Sequence, residues 1–272
     1  MDYAPKTIDI QKSTSRKPDN SVAVHAHAVH ELYFLISGHR RYFIGHTIYD
    51  VYPGNLIIIP KTELHQTTSP GRTGYERYVV YFTEEDIRAL REQLGNALVD
   101  ELMSVSCLQL PPDVVRFIHQ TLAQMEQERQ QNTPYTQAYL AHWLQGILLE
   151  ALRYGKKRSP CSSEAADKIQ EVARYISENY YMPLSLHDAA QMAFMEDTYF
   201  SKRFKKLTGF GFQEYLTQTR IRAAERMLRE TNFSVGEISE RCGFSSSNYF
   251  GDAFRHWKGM SPSAYRDSIQ RL

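Results

Sequence analysis

The stretch from Phe233 to Arg266, FSVGEISERCGFSSSNYFGDAFRHWKGMSPSAYR, carries its own start and stop signals for three helices. Ser234 is a good N-cap, and Glu237 three residues on completes a capping box. The helix it opens, Val235–Cys242, hides Ile238 and Cys242. Gly243 then fits a left-handed C′ position, where the missing Cβ removes the steric penalty. Ser245 to Ser247 offer caps for a second helix with Tyr249, Phe250, Ala253, Phe254 and Trp257 on its apolar side, closed by Gly259. Ser261 and Pro262 open a third. A short helix, a tight turn and a second helix with one apolar face leave the other face free, the shape that enters a major groove. An ordinary helical bundle is the alternative on these signals alone.

The pattern occurs twice. Leu184–Tyr215 aligns with Phe233–Tyr265, with Ser185 matching Ser234 and Asp188 matching Glu237. After a one-residue slip, Tyr199, Phe200, Phe204, Gly209 and Tyr215 match Tyr249, Phe250, Phe254, Gly259 and Tyr265. Glu196 or Asp197 starts the second helix of the first copy, and Gly209 ends it. Two copies are too few for a solenoid, so this is a duplicated helix-turn-helix.

Charge adds little. The 272 residues carry a net charge of +1, and 42% of them are hydrophobic, as in ordinary soluble proteins. Residues 165–272 hold 15 Lys and Arg against 13 Asp and Glu, a net of +2. The informative feature is local: Lys202, Arg203, Lys205 and Lys206 crowd together with no acid between them, as a phosphate-binding patch or a solvated helix face. No apolar run approaches the ~18 residues of a membrane span, and the N-terminus lacks a secretory pattern. Cys107, Cys161 and Cys242 lie far apart, which points to a reducing cytoplasm.

The stretch GFSSSNYFGDAFRHWKGMSPSAYR closely resembles the signature region of AraC/XylS-type transcription regulators, through Gly243, Phe244, Tyr249, Phe250, Phe254, Gly259, Ser261, Pro262, Tyr265 and Arg266. The first copy resembles the family's other motif through Ala189, Ala190, Tyr199, Phe200, Ser201, Phe204, Lys205, Thr208, Gly209, Phe212 and Tyr215. The resemblance implies recognition helices at Asp197–Leu207 and Ser247–Lys258, held one DNA turn apart by a long helix, Gln213–Arg229. It implies base-facing Thr198, Ser201 and Lys202 in the first copy, and Ser247, Asn248, Gly251 and Asp252 in the second. Arg203, Lys205 and Lys206 are then expected on phosphates, which position without specifying. Gly251 and Asp252 depart from the family: glycine cannot read a base, and Asp252 repels phosphate. The first helix is therefore expected to carry more of the specificity. Double-stranded DNA and RNA polymerase are the implied partners; an activator is the expected kind of regulator, and the sequence leaves activation or repression of transcription open.

From about Ser21 to Phe82 the chain changes style. Short β-runs (Leu32–Ser37, Arg41–Ile44, Asn55–Ile59, Tyr75–Phe82) alternate with Ser37-Gly38, Pro53-Gly54 and Pro70-Gly71, as in an antiparallel barrel or sandwich. Six of the ten histidines fall in the first 65 residues. HAHAVHELYFLISG, with His25, His27, Glu31 and Gly38, and GNLIIIPKTELHQTTS, with Gly54, Pro60 and His65, resemble the two cupin motifs; Thr62 and Ser69 replace the second motif's usual glycine and asparagine. AraC-type regulators commonly carry such a barrel as a sensor. The resemblance implies that His25, His27, Glu31 and His65 either hold a divalent metal (zinc, iron, manganese or nickel) or line a pocket that bonds an effector directly. Tyr33 and Leu35 share the strand face of Glu31 and are expected pocket walls, while Tyr42 and Phe43 line the pocket or pack in the core. A carbohydrate is the expected effector.

Between the two regions, Val114, Val115, Ile118, Leu122 and Met125 precede a break at Asn132-Thr133-Pro134. Tyr139, Leu140, Trp143, Leu144, Ile147 and Leu148 follow at helical spacing. This hairpin hides its stripe against its own β-domain or against a second subunit in a homodimer. The expected fold is thus multidomain: an N-terminal all-β cupin-like barrel over residues 1–100, a helical hairpin over 101–154, a linker over 155–164, and a C-terminal all-α domain with two helix-turn-helix motifs over 165–272. A cytoplasmic, non-enzymatic, effector-responsive DNA-binding regulator is the expected function. The alternative is a metal-binding cupin protein or enzyme with a helical assembly module.

Overall fold

The computed structural model describes residues 7–17, 29–71, 74–104 and 107–270. The chain divides into two compact units, one drawn mainly from residues before Ser162 and one from Ser162–Leu272.

The first unit opens with seven strands: β1 (Asp9–Ser15), β2 (His30–Ser37), β3 (Arg40–Ile44), β4 (Thr47–Val51), β5 (Asn55–Ile59), β6 (His65–Thr68) and β7 (Tyr75–Phe82). Helices α1 (Arg88–Leu94) and α2 (Asn96–Ser104) follow, then strand β8 (Cys107–Gln109), helices α3 (Pro112–Gln131) and α4 (Thr136–Tyr154), and strand β9 (Lys156–Lys157). The strands form a six-stranded sheet, β1-β7-β2-β5-β8-β9, and a three-stranded sheet, β4-β3-β6. The central strand β2 is antiparallel to both neighbours, with Tyr33 opposite Val79 on β7 and Ile57 on β5.

The runs ELYFLI and NLIII are almost unbroken in hydrophobicity because their sheet is covered on both faces. Alternation sorts them. Leu32, Phe34, Leu56, Ile58, Tyr78 and Val80 join one core with the helices. Tyr33, Leu35, Ile57, Ile59 and Val79 join another with Tyr42, Ile44 and Val51 of the smaller sheet.

The hairpin α3–α4 breaks at Asn132, which caps α3 in the left-handed conformation at φ 50°. Its stripe of Val114, Ile118, Leu122, Met125, Leu140, Leu144, Ile147 and Leu148 is buried on the unit's own six-stranded sheet. Each such side chain contributes about 1.5–3 kcal/mol of burial. The outer flank stays open: Phe117, Tyr139 and Leu149 are exposed, with Tyr139 stacked on Trp143 at 5.4 Å.

Two boundaries differ from expectation. The β-domain extends past residue 100, because β8 adds to β5 and β9 adds to β8. The segment 155–164 is correspondingly no free linker throughout, since Lys156 and Lys157 pair with Gln109 and Leu108. Strands of three and two residues carry no alternation long enough to read, so only the sheet that receives them defines them.

The second unit holds seven helices among its described residues: α5 (Glu164–Asn179), α6 (Leu186–Met192), α7 (Asp197–Thr208), α8 (Phe212–Glu230), α9 (Val235–Arg241), α10 (Ser247–Lys258) and α11 (Pro262–Gln270). Both capping boxes form. Ser185 Oγ accepts from Asp188 N at 3.1 Å while Asp188 Oδ2 accepts from Ser185 N at 2.9 Å. Ser234 Oγ accepts from Glu237 N at 3.2 Å while Glu237 Oε2 accepts from Ser234 N at 2.7 Å. Ser246 caps α10 by accepting from Tyr249 N, and Gly209 and Gly259 end α7 and α10 at φ 86° and 73°.

The duplication repeats in the packing. Phe200–Phe204–Tyr215 rings contact at 5.5 and 5.7 Å, and Phe250–Phe254–Tyr265 at 5.7 and 5.5 Å. It repeats in the turns too: Phe194 N bonds Gln191 O and Met195 N bonds Ala190 O, as Gly243 N bonds Glu240 O and Phe244 N bonds Ser239 O. Gly243 sits at φ 76°, and Phe194, its equivalent, is forced into the same left-handed region at φ 54°. Helix α8 ties the motifs together. Arg220 donates to Tyr180 O and Met182 O at 2.7 and 2.9 Å on the turn before α6, and buried Glu225 accepts from Tyr265 at 2.6 Å.

Candidate functional site

Helix α7 is anchored by Phe200, Phe204, Leu207 and Thr208, which fixes what points away. Thr198, Lys202, Lys205 and Lys206 are exposed, whereas Ser201 and Arg203 are half-buried. Thr198 and Lys202 lie one turn apart, so a continuous outward face runs from a hydroxyl to a row of ammonium groups. Arg203 is more enclosed than Lys205 and Lys206, which makes it the less free of the three expected phosphate residues.

Helix α10 is anchored by Phe250 and Phe254 and exposes Ser247, Asn248 and Asp252. Gly251 lies between them with open space where a Cβ would be. Asp252 does not stand alone: Arg255 Nη1 lies 3.7 Å away, with both side chains largely in solvent. Arg255 and His256 are exposed on this helix and were missing from the residues picked out by sequence. The signal existed, because they fall 50 positions after Lys205 and Lys206, the offset of the aromatic repeat.

The second constellation lies between the two sheets of the first unit. Glu31 and His65 come together, with His65 Nε2 3.7 Å from Glu31 Oε2 and both side chains buried. His65 Nδ1 donates to the Glu63 carbonyl at 2.8 Å. His25 and His27 lie outside the described residues. Among the described residues, no three His, Cys, Asp or Glu side chains are grouped to hold a metal.

Tyr33 is fully buried and packs edge-on against Tyr42 at 4.8 Å, which places Tyr42 between the sheets. Burial holds both hydroxyls well above the ordinary tyrosine pKa, so both remain protonated donors. Two guanidiniums share this interior. Arg40, 0% exposed, donates to Ser69 Oγ at 2.6 Å and Thr67 Oγ1 at 2.9 Å and stacks on Tyr75 at 4.3 Å. Arg77 stacks on Tyr33 at 5.3 Å and Tyr75 at 5.5 Å. Neither arginine was among the expected pocket residues; the alternation Tyr75, Arg77, Val79 along β7 is the signal that places Arg77 on the inner face.

The model of an AraC-like ligand binding domain matches residues 8–144, half of the chain, and that of a helix-turn-helix domain matches residues 189–268. The chain belongs to the AraC family of transcription regulators. It is a DNA-binding regulator with a ligand-binding β-domain, and no described helix is long and apolar enough to cross a membrane. Among relatives of this AraC-family chain is the HTH-type transcriptional activator RhaR of Escherichia coli, 25% identical over 92% of this chain and 89% of that protein. The Msm operon regulatory protein of Streptococcus mutans is 33% identical over 38% of this chain and 37% of that protein. The DNA-binding domain of the global transcriptional factor AdpA, solved with a target DNA, is 32% identical over 40% of this chain and 96% of that one, with a TM-score of 0.38.

Proposed function

We propose that this AraC-family regulator reads its operator chiefly through α7, with Thr198, Ser201 and Lys202 facing bases and Lys205 and Lys206, with Arg203, on phosphates. The observation that carries this is the acid-free row of exposed cations on a helix whose other face is locked by Phe200 and Phe204. On α10, Ser247 and Asn248 read bases, Asn248 pairing with adenine. Asp252 is turned from phosphate repulsion toward Arg255, which takes the phosphate role that Lys205 takes on α7.

The effector is a carbohydrate bound between the sheets. Tyr33, Tyr42 and Tyr75 supply ring faces, and Glu31, His65 and the arginines supply directional polar groups. The open flank of α3–α4 with Phe117, Tyr139 and Leu149 serves as the homodimer contact. Effector binding shifts a pre-existing equilibrium between arrangements of the two DNA-binding units, and the dimer engages RNA polymerase as an activator in the cytoplasm. Selecting a binding site from random duplexes and measuring its affinity against salt tests the core of this reading. A strong negative log–log slope is expected, because neutralised phosphates release counterions; salt-independent or absent binding would overturn it.

A further inference from the structure

The inner face of β7 carries a guanidinium that makes no hydrogen bond among the described residues and has the Glu31 carboxylate as its countercharge. Arg77 lies opposite Leu35 of β2 and shares its face with Tyr75 and Val79. Its Nε is buried with no hydrogen-bond partner, and no other hydrogen bond or ion pair reaches the side chain among the described residues. The guanidinium stacks on the rings of Tyr33 and Tyr75. Tyr33, 0% exposed and one strand over, likewise has a hydroxyl with no hydrogen-bond partner among the described residues. Both are on the face that meets Tyr42 of the smaller sheet.

A buried phenol and a buried guanidinium Nε that lack hydrogen-bond acceptors are costly side by side, unless something else completes them. We propose that they form an anion subsite, in which Arg77 and Tyr33 hold the carboxylate of the effector. A planar guanidinium matches a carboxylate fork bidentately, and a phenol donates to one of its oxygens. Glu31 and His65, on the same inner surface, repel or bond accordingly: the carboxylate sits toward Arg77 and neutral hydroxyls sit toward Glu31. This rests on the reading of the β-domain as a carbohydrate sensor and narrows its ligand to a sugar acid rather than a neutral sugar.

The test is calorimetric titration of the full chain with D-galacturonate, D-glucuronate and D-gluconate beside D-galactose and D-glucose, with benzoate and butyrate as carboxylates that are not sugars. At least one sugar acid is expected to bind about tenfold or more tightly than its neutral parent. Arg77→Met, which keeps the stem over the rings, should erase that preference. Tyr33→Phe should weaken the acid while leaving the melting temperature of the free protein unchanged or higher, since it removes an unsatisfied hydroxyl; a merely structural hydroxyl would lower it. A neutral sugar binding as tightly as its acid overturns the anion subsite and leaves the sugar sensor standing. Benzoate or butyrate binding through Arg77 without any sugar acid keeps the subsite and overturns the sugar. Retention of acid preference in Arg77→Met, or no binding by any of these carboxylates, overturns the subsite.

Discussion

Lys258 at the end of α10 reaches Glu225 in the middle of α8, Nζ to Oε2 2.6 Å, with side chains only 11% and 9% exposed. Tyr265 of α11 donates to the other carboxylate oxygen at 2.6 Å, and burial keeps that phenol protonated. One carboxylate thus pins the second recognition helix and the last helix to the helix that spaces the two motifs. Glu225→Ala should cost about 3–5 kcal/mol, because it strands a buried ammonium. The double variant Glu225→Leu with Lys258→Met should recover most of that loss. Urea unfolding of the full chain and both variants checks the coupling, and strictly additive losses would deny it.

Lys202 and Lys206 lie on one helix but should behave differently. Lys202→Ala is expected to cost about 1–3 kcal/mol on the cognate site and relax preference at one base pair. Lys206→Ala and Arg255→Ala should weaken cognate and scrambled duplexes alike and flatten the log–log salt slope by about 0.9 per lost phosphate contact. Anisotropy titrations at several salt concentrations separate these outcomes. Equal weakening of both duplexes by Lys202→Ala would return that lysine to the backbone.

The two turns differ in a way that invites paired substitutions. Phe194 is 86% exposed and left-handed at φ 54°, and among the described residues the contact to its ring is Lys168 at 5.8 Å, which rewards its strain little. Phe194→Gly should stabilise by about 0.5–1 kcal/mol, the relief of left-handed strain less the added freedom of the unfolded chain. Gly243→Ala should do the opposite and more, because its Cβ would lie 2.5 Å from the Tyr181 carbonyl. Melting temperatures report both; a fall for Phe194→Gly would reveal a stabilising role for that ring.

The thiols should sort by burial. Cys107 and Cys242 are buried, and desolvation pushes each thiol up to about 12. At pH 8 their thiolate fraction is then on the order of one in ten thousand, against roughly a quarter for an ordinary cysteine. Native protein should titrate one thiol with a disulfide reagent, Cys161, and three after unfolding. Rapid labelling of Cys242 would mean that the α9–α10 turn opens readily.

The helix-turn-helix unit was legible because its signals act over three or four residues. Ser234 and Glu237 cap within one turn, Gly209 and Gly259 stop helices by their own backbone freedom, and the repeat of Tyr199-Phe200 in Tyr249-Phe250 exposes the duplication. The strands Asn55–Ile59 and Tyr75–Phe82 were legible for the same reason, as short apolar or alternating runs between turns. The face taken by the α3–α4 stripe was not: its periodicity fits a partner subunit as well as the sheet of its own unit, and only the packing chose the sheet.

What the tertiary structure decided lies wherever distant residues meet. Phe194 stands 49 positions before Gly243, so the repeat marks its place as a glycine's, but only the fold shows a phenylalanine held there at φ 54°. Lys258 reads as a solvated charge until α8 brings Glu225 beneath it. Arg40 and Arg77, 37 positions apart in sequence, flank Tyr75 only because β3 and β7 belong to sheets that face each other. Caps and periodicity come from interactions within a turn or two of chain, and a sequence displays those directly. The interior of a two-sheet domain collects side chains from strands whose order, register and facing are set by the burial of the whole, so its chemistry exists only once the fold does.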